Sequence, residues 1–167
     1  LKALKKPLVV LEALSKIDET FLRNHKIRVI YAGDGVLKNK MEDFIKDKNL
    51  FEYVQLLGNI SRDKINEYYK LSDYYIISSD FEGTPISMLE AMYNKLGILG
   101  SDVKGINNVI NDSDGGFLFD NTNALDLSLK MVDLVNNDPL EKRQNAYRFF
   151  NEHFNYPKLV KKFYSNI

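Results

Sequence analysis

The sequence contains no cysteine, so neither a disulfide framework nor a thiolate metal site is available to it. Histidine is nearly as scarce: His25 and His153 lie far apart and have no neighbours at ligand spacing. There is no excess charge of either sign, because 23 lysines and arginines face 23 aspartates and glutamates. Overall charge therefore gives no general attraction to nucleic acid or to an acidic membrane surface. No apolar run approaches the ~20 residues of a membrane span, and no signal peptide is visible. Repeats, linkers and low-complexity tracts are missing as well. The chain starts at Leu1, without methionine, and enters a helical pattern at once, as a piece of a longer protein would.

What remains is an ordinary globular composition, 44% hydrophobic and 28% charged over 167 residues, enough for one domain with one core. Leu8, Leu11, Leu14, Ile17 and Phe21 recur at helical spacing, which predicts a helix from about Lys6 to Asn24. The short apolar runs 27–32 (IRVIYA), 53–57 (YVQLL), 74–78 (YYIIS), 96–101 (LGILGS) and 116–119 (GFLF) read as strands, the first being β-branched and nearly all apolar, as a strand buried on both faces would be. Helical patterns at 36–48, after the N-cap candidate Ser61, at 86–94 and from Asn123 onward separate or follow them, with breaks at Asp138-Pro139 and Tyr156-Pro157. This alternation predicts an α/β fold: a doubly wound, Rossmann-like parallel sheet with helices on both faces. Ligands of such sheets bind beyond the carboxyl ends of the strands, here the loops after Ala32, Leu57 and Ser78.

The segment Ser78-Ser79-Asp80-Phe81-Glu82-Gly83-Thr84-Pro85-Ile86-Ser87-Met88-Leu89-Glu90-Ala91-Met92 is the most informative. A buried strand ends in polar residues and a helix follows immediately, with Glu82 just before it and Glu90 inside it. Free N–H groups in the first helical turn favour an anion such as diphosphate. Glu90 falls roughly 7 Å along the axis from Pro85. Two carboxylates thus flank an electropositive helix start, a match to a nucleotide-sugar with its ribose, diphosphate and hexose. The bland reading of the same pair is a solvated cap and a surface carboxylate.

This stretch resembles the signature of glycosyltransferase family 4. The resemblance extends to Ala32–Gly35 (AGDG), Leu57–Ser61 (LGNIS), Ser72–Ser79 (SDYYIISS) and Gly115–Phe119 (GGFLF), in order and at matching spacing. It implies the C-terminal, donor-binding half of a retaining GT-B enzyme, covering residues 1–167, with the N-terminal acceptor domain outside this chain. By this resemblance Glu82 would hold the donor sugar and stabilise charge on its ring, and Glu90 would bind the ribose. Gly83, Thr84 and Ile86 would line the diphosphate, Thr84 and Ile86 through backbone N–H groups. Ile60 would lie near the nucleobase, and Gly33 and Gly35 would keep the donor loop small. A lysine that neutralises the leaving diphosphate maps to Lys5. The arginine that partners it would fall before Leu1, and so would the domain's first strand, which in doubly wound order is a central one. The resemblance thus implies a shortened chain or a sheet that adjusts around the gap.

The implied reaction moves a sugar from a nucleotide-diphospho-sugar, UDP-sugar first, to a glycan, lipid-linked or other acceptor held by the N-terminal domain, in surface polysaccharide or other glycan synthesis. No cofactor and no nucleic acid is implied. The implied setting is cytoplasmic, with peripheral membrane association of the longer protein left open, and the piece alone is expected to turn over little. Two other readings stand beside it: a sugar-nucleotide epimerase of GT-B architecture, and a non-catalytic nucleotide-sugar-binding module. Asp112-Ser113-Asp114 resembles a DxD metal motif but falls in a turn-rich stretch. Gly33-Asp34-Gly35 lacks the third glycine of a dinucleotide fingerprint, since position 38 is lysine. The pairs Tyr68-Tyr69 and Tyr74-Tyr75 read as core with polar tips.

Overall fold

The computed structural model describes residues 1–83 and 85–155. Thr84 and the Tyr156-Pro157 break lie outside the described residues. A 3-10 turn at Ala3–Lys5 leads into α1 (Pro7–Leu14) and α2 (Glu19–Asn24), and then β1 (Val29–Ala32), α3 (Lys38–Asp47), β2 (Val54–Gly58) and α4 (Arg62–Leu71). β3 (Tyr74–Ile77), α5 (Ile86–Tyr93), β4 (Gly97–Ser101), α6 (Ile106–Ser113) and β5 (Gly116–Phe119) follow, and α7 (Ala124–Asn136) and α8 (Leu140–His153) close the described chain.

All strand pairs within the sheets are parallel, as expected, but the strands form two pieces: β1-β2, and β3-β4-β5. In the doubly wound order 3-2-1-4-5-6, β2 and β1 take the first and second places and β3 to β5 the last three, so the interruption falls at the third, central place. The segment Leu1–Lys6 bridges the interval instead. The Leu1 amino group meets the Asp34 carbonyl, and the Asp80 N–H donates to the Leu4 carbonyl at 2.8 Å. Ser78 Oγ donates to the carbonyls of Lys5 and Lys6 at 2.7 and 3.1 Å, and Tyr31 donates to Pro7 at 3.0 Å. Lys6 turns left-handed (φ 41°) to allow this path, and Pro7 then opens α1 at the position that tolerates proline.

Side chains alternate across each strand, so successive residues enter different cores. Leu99 joins one apolar cluster with α1, α3 and α7, and its neighbour Ile98 joins another with α5, α6 and α8. The first cluster also takes Val29, Tyr31, Val54 and Leu56, and so one layer of side chains holds both sheet pieces together. The second covers only the three-stranded piece, and on β1 Ile30 is left exposed. All five residues of β4 are buried, as a strand with neighbours on both sides requires.

Two helical expectations need correction. The helix expected from Lys6 to Asn24 is broken at Ser15–Asp18, because the Asp18 carboxylate caps a new helix by accepting the Phe21 N–H at 3.1 Å. The turn-rich stretch before β5 is in fact α6. It runs through Asp112 and Ser113 and ends on a left-handed Asp114, whose carboxylate pairs with Lys142 at 2.6 Å. Ser61 does cap α4, accepting the Lys64 N–H at 3.4 Å. Among the described residues no helix is long and apolar enough to cross a membrane.

Candidate active site

Strand β3 delivers the site. It is half-buried up to Ile77, which is buried, and past Ile77 its chain enters a polar loop whose serines are buried: Ser78 is 7% exposed and Ser79 1%. Such groups must find partners, and Ser79 finds three. Its hydroxyl donates to Glu82 Oε1 at 2.7 Å, and its carbonyl accepts from Ser101 Oγ at 2.7 Å and from Asn121 Nδ2 at 3.1 Å. Asn121 also donates to Asp80 Oδ1 at 3.1 Å, and Lys6 Nζ pairs with the same oxygen at 2.7 Å. Residues at the end of β4 and past the ends of β3 and β5 are thus tied to one serine.

Glu82 is turned inward: its side chain is 13% exposed, and its Oε1 pairs with Lys5 as well as with Ser79. The structure therefore brings together the two groups that the resemblance singles out as catalytic. Glu90 lies on α5 and is 30% exposed, with one oxygen meeting Arg62 Nη2 at 3.2 Å and the other Tyr69 Oη at 3.4 Å. Between the carboxylates runs the first turn of α5, which starts behind Pro85 without a side-chain cap. Among the described residues no acceptor meets the Ile86 or Ser87 N–H, the normal condition of a helix start.

Two buried tyrosine hydroxyls fix that turn. Tyr69 donates to the Ser87 carbonyl at 3.1 Å, and Tyr75 donates to Ser87 Oγ at 2.7 Å. Burial pushes the Tyr75 hydroxyl up to about 12, with the Ser87 hydrogen bond pulling the other way and the charges of Glu82 and Glu90 adding to the rise. Burial also raises Tyr69, assisted by Tyr75 and Glu90.

The remaining expected residues are spread more widely. Gly33, at φ 120°, lets the chain turn so that its N–H donates to the Gly58 carbonyl at 2.7 Å. A side chain at Gly35 would meet the backbone of Leu1, so the close approach at this glycine is made by Leu1. Ile60 is half-buried after Gly58, and Ile86 is exposed. Gly83 is exposed at the bend before α5. Sequence reasoning missed Ser79, Asn121, Arg62 and Gly105. Gly105 sits at φ 93° in front of α6, where a Cβ would run into the Glu82 carbonyl. For Tyr69 and Tyr75 the pattern of apolar body and polar tip was visible, but not what the tips would touch.

Parallel strands interleaved with helices, with polar residues gathered beyond their carboxyl ends, define the Rossmann-like domain found as the C-terminal half of GT-B glycosyltransferases. Residues 1–149 match the model of the glycosyl transferases group 1 family, and the chain belongs to that family. It is 35% identical over 120 residues to the poly(ribitol-phosphate) alpha-N-acetylglucosaminyltransferase of Staphylococcus aureus, an alignment covering 71% of this chain and 24% of that protein. The chain thus spans about a quarter of the length of that curated relative. Among solved structures, Anabaena HepE in complex with UDP and glucose superposes with a TM-score of 0.82 at 16% identity, over 100% of this chain and 46% of that one. A mutant of S. aureus TarM in complex with fondaparinux, alpha-GlcNAc-glycerol and UDP gives 0.79 at 26% identity, over 97% of this chain and 32% of that one.

Proposed function

We propose that this domain seats the nucleotide-diphospho-sugar of a retaining glycosyltransferase, with UDP-sugar as the first choice of donor. The observation that carries the reading is the placement of Glu82 and Glu90 on either side of an uncapped helix start, each held by named partners and not left to solvent. Carboxylates accept hydrogen bonds from vicinal hydroxyls, and helix N–H groups favour phosphate. Glu82 would hold the sugar and Glu90 the ribose, with the diphosphate over Gly83, Thr84 and Ile86, the base towards Ile60, and Gly33 and Gly35 keeping the neighbouring loop small. The TarM relative, which binds UDP, supports the choice of nucleotide.

In the reaction the bond from the anomeric carbon to the diphosphate oxygen breaks, the acceptor oxygen bonds to that carbon on the same face, and the acceptor proton passes to the diphosphate. The domain contributes electrostatics, Lys5 and the start of α5 offsetting charge on the departing group. The acceptor would come from the remainder of a longer enzyme, and glycan synthesis at the cell surface is the setting this reading suggests. Isothermal titration of the protein with UDP-, GDP- and ADP-sugars tests it: one donor class should bind, and binding by none of them overturns it. Incubation with donor alone should leave the sugar's configuration unchanged, whereas epimerised donor would replace transfer with the epimerase reading.

A further inference from the structure

Each oxygen of Glu90 is held by a different residue of α4, and the two holders are unlike. Arg62 reaches one oxygen at 3.2 Å from a side chain that is 83% exposed. An ion pair of that kind is screened and weakly held. Tyr69 reaches the other at 3.4 Å from a residue only 9% exposed, whose ring lies 6.0 Å from that of Tyr75 within the second apolar cluster. Its hydroxyl proton is shared with the Ser87 carbonyl at 3.1 Å, so the phenol is located by the first turn of α5 before any ligand arrives. A carboxylate offers about four lone-pair sites. With one directed to Tyr69, and with Arg62 free to swing into solvent, the remaining sites can accept from a vicinal diol.

Resting on the reading of Glu90 as the group that meets ribose, we propose that Tyr69 is a positioning residue that fixes this carboxylate for recognition of the donor's 2′- and 3′-hydroxyls. A glutamate left free loses side-chain entropy on being ordered by a ligand, and Tyr69 removes part of that cost in advance. Its effect is therefore largest for ligands that carry the diol. A tyrosine that merely packs would affect every ligand alike, or none.

The test is calorimetric binding of UDP, GDP and ADP, each against its 2′-deoxy analogue, to the unsubstituted protein and to Tyr69→Phe, Glu90→Gln and the double variant. The unsubstituted protein is expected to prefer the ribonucleotide by roughly tenfold or more, the scale of a hydrogen bond to a charged group. Glu90→Gln should bring that ratio close to one. Tyr69→Phe, which keeps the ring, should lower it by about threefold or more, with a smaller loss of affinity for the deoxy ligand, which keeps only the 3′-hydroxyl, and the double variant should match Glu90→Gln. An undiminished ratio in Tyr69→Phe alongside a lost ratio in Glu90→Gln overturns the role of Tyr69 and spares that of Glu90. An undiminished ratio in both, or no nucleotide binding at all, overturns the reading of Glu90 and this inference with it. Should Tyr69→Phe not fold, Glu90→Asp withdraws the carboxylate from the phenol by one methylene, and a ratio unchanged there equally overturns the proposal.

Discussion

Lys5 and Glu82 are 77 positions apart in the chain and form an ion pair, with the lysine more exposed than the carboxylate it meets. The pair joins the segment that bridges the two sheet pieces to the loop that follows β3. Glu82 keeps Ser79 as a second partner, so the lysine can leave without stranding the carboxylate. Under the proposed function Lys5 turns to the diphosphate as the sugar departs. Lys5→Ala should then lower the rate of transfer by about 10²-fold with a smaller change in donor affinity, the range seen when one charge-stabilising donor is removed. Glu82→Gln should lower the rate on the same scale. Steady-state kinetics of the longer enzyme, separating kcat from KM, checks both, and equal losses in kcat/KM and affinity for Lys5→Ala would assign it to binding alone.

Gly105 supports Glu82 from behind. Its φ of 93° suits glycine, and any Cβ would collide with the Glu82 carbonyl. Gly105→Ala should displace the 80–83 loop and lower transfer by about 10²-fold, the scale of an ångström-sized misplacement. The backbone conformation adds roughly 1–2 kcal/mol of destabilisation, which a thermal melt would register. Wild-type kinetics in this variant would remove Gly105 from the account.

Alkali should destabilise the fold. Burial raises the hydroxyls of Tyr31, Tyr69 and Tyr75 above the ordinary value of 10, Tyr75 to about 12. Their stabilising contribution is complete below pH 10, where both folded and unfolded chains keep the proton. It is lost as pH rises, because the unfolded chain ionises first. Each such tyrosine costs about 1.4 kcal/mol per pH unit above 10 until its folded value is reached. Tyr31 lies away from the site, donating to Pro7, so Tyr31→Phe should flatten the fall in melting temperature between pH 10 and 11.5. An identical slope in the variant would count against buried tyrosine as the cause.

The two sheet pieces should differ in local stability. β4 is wholly buried between two partners, whereas among the described residues β1 pairs only with β2, and it exposes Ile30. A two-stranded piece is marginal without its packing layer. Hydrogen exchange by mass spectrometry should find amides of 29–32 and 54–58 opening about 100-fold faster than those of 97–101. Equal protection would mean that the segment 1–6 couples the pieces as tightly as a strand does.

Much of this was legible in the sequence, and particular residues show why. β5 is legible to the residue, and the other strands within two residues at either end, because short apolar runs between turn signals leave few alternatives. α6 escaped because Asn107, Asn108, Asn111 and Asp112 are weak helix formers. The burial of Ile106 and Ile110 one turn apart overrides that preference. At the site, Glu82, Glu90 and Lys5 were marked by a local pattern and a resemblance. The ties that hold them, Tyr69 to Glu90 over 21 positions and Asn121 to Ser79 over 42, arise only when elements distant in the chain are brought side by side.

Ser79 gives that juxtaposition a practical consequence. Because its carbonyl is grasped from the β4 and β5 sides while its hydroxyl steers Glu82, substitutions at Ser101 or Asn121 would reach the reacting centre without touching any ligand. Under the proposed function, variation that looks remote, at the ends of β4 and β5, would then act as a fine adjustment of turnover, offering evolution a way to tune rate while leaving donor choice alone.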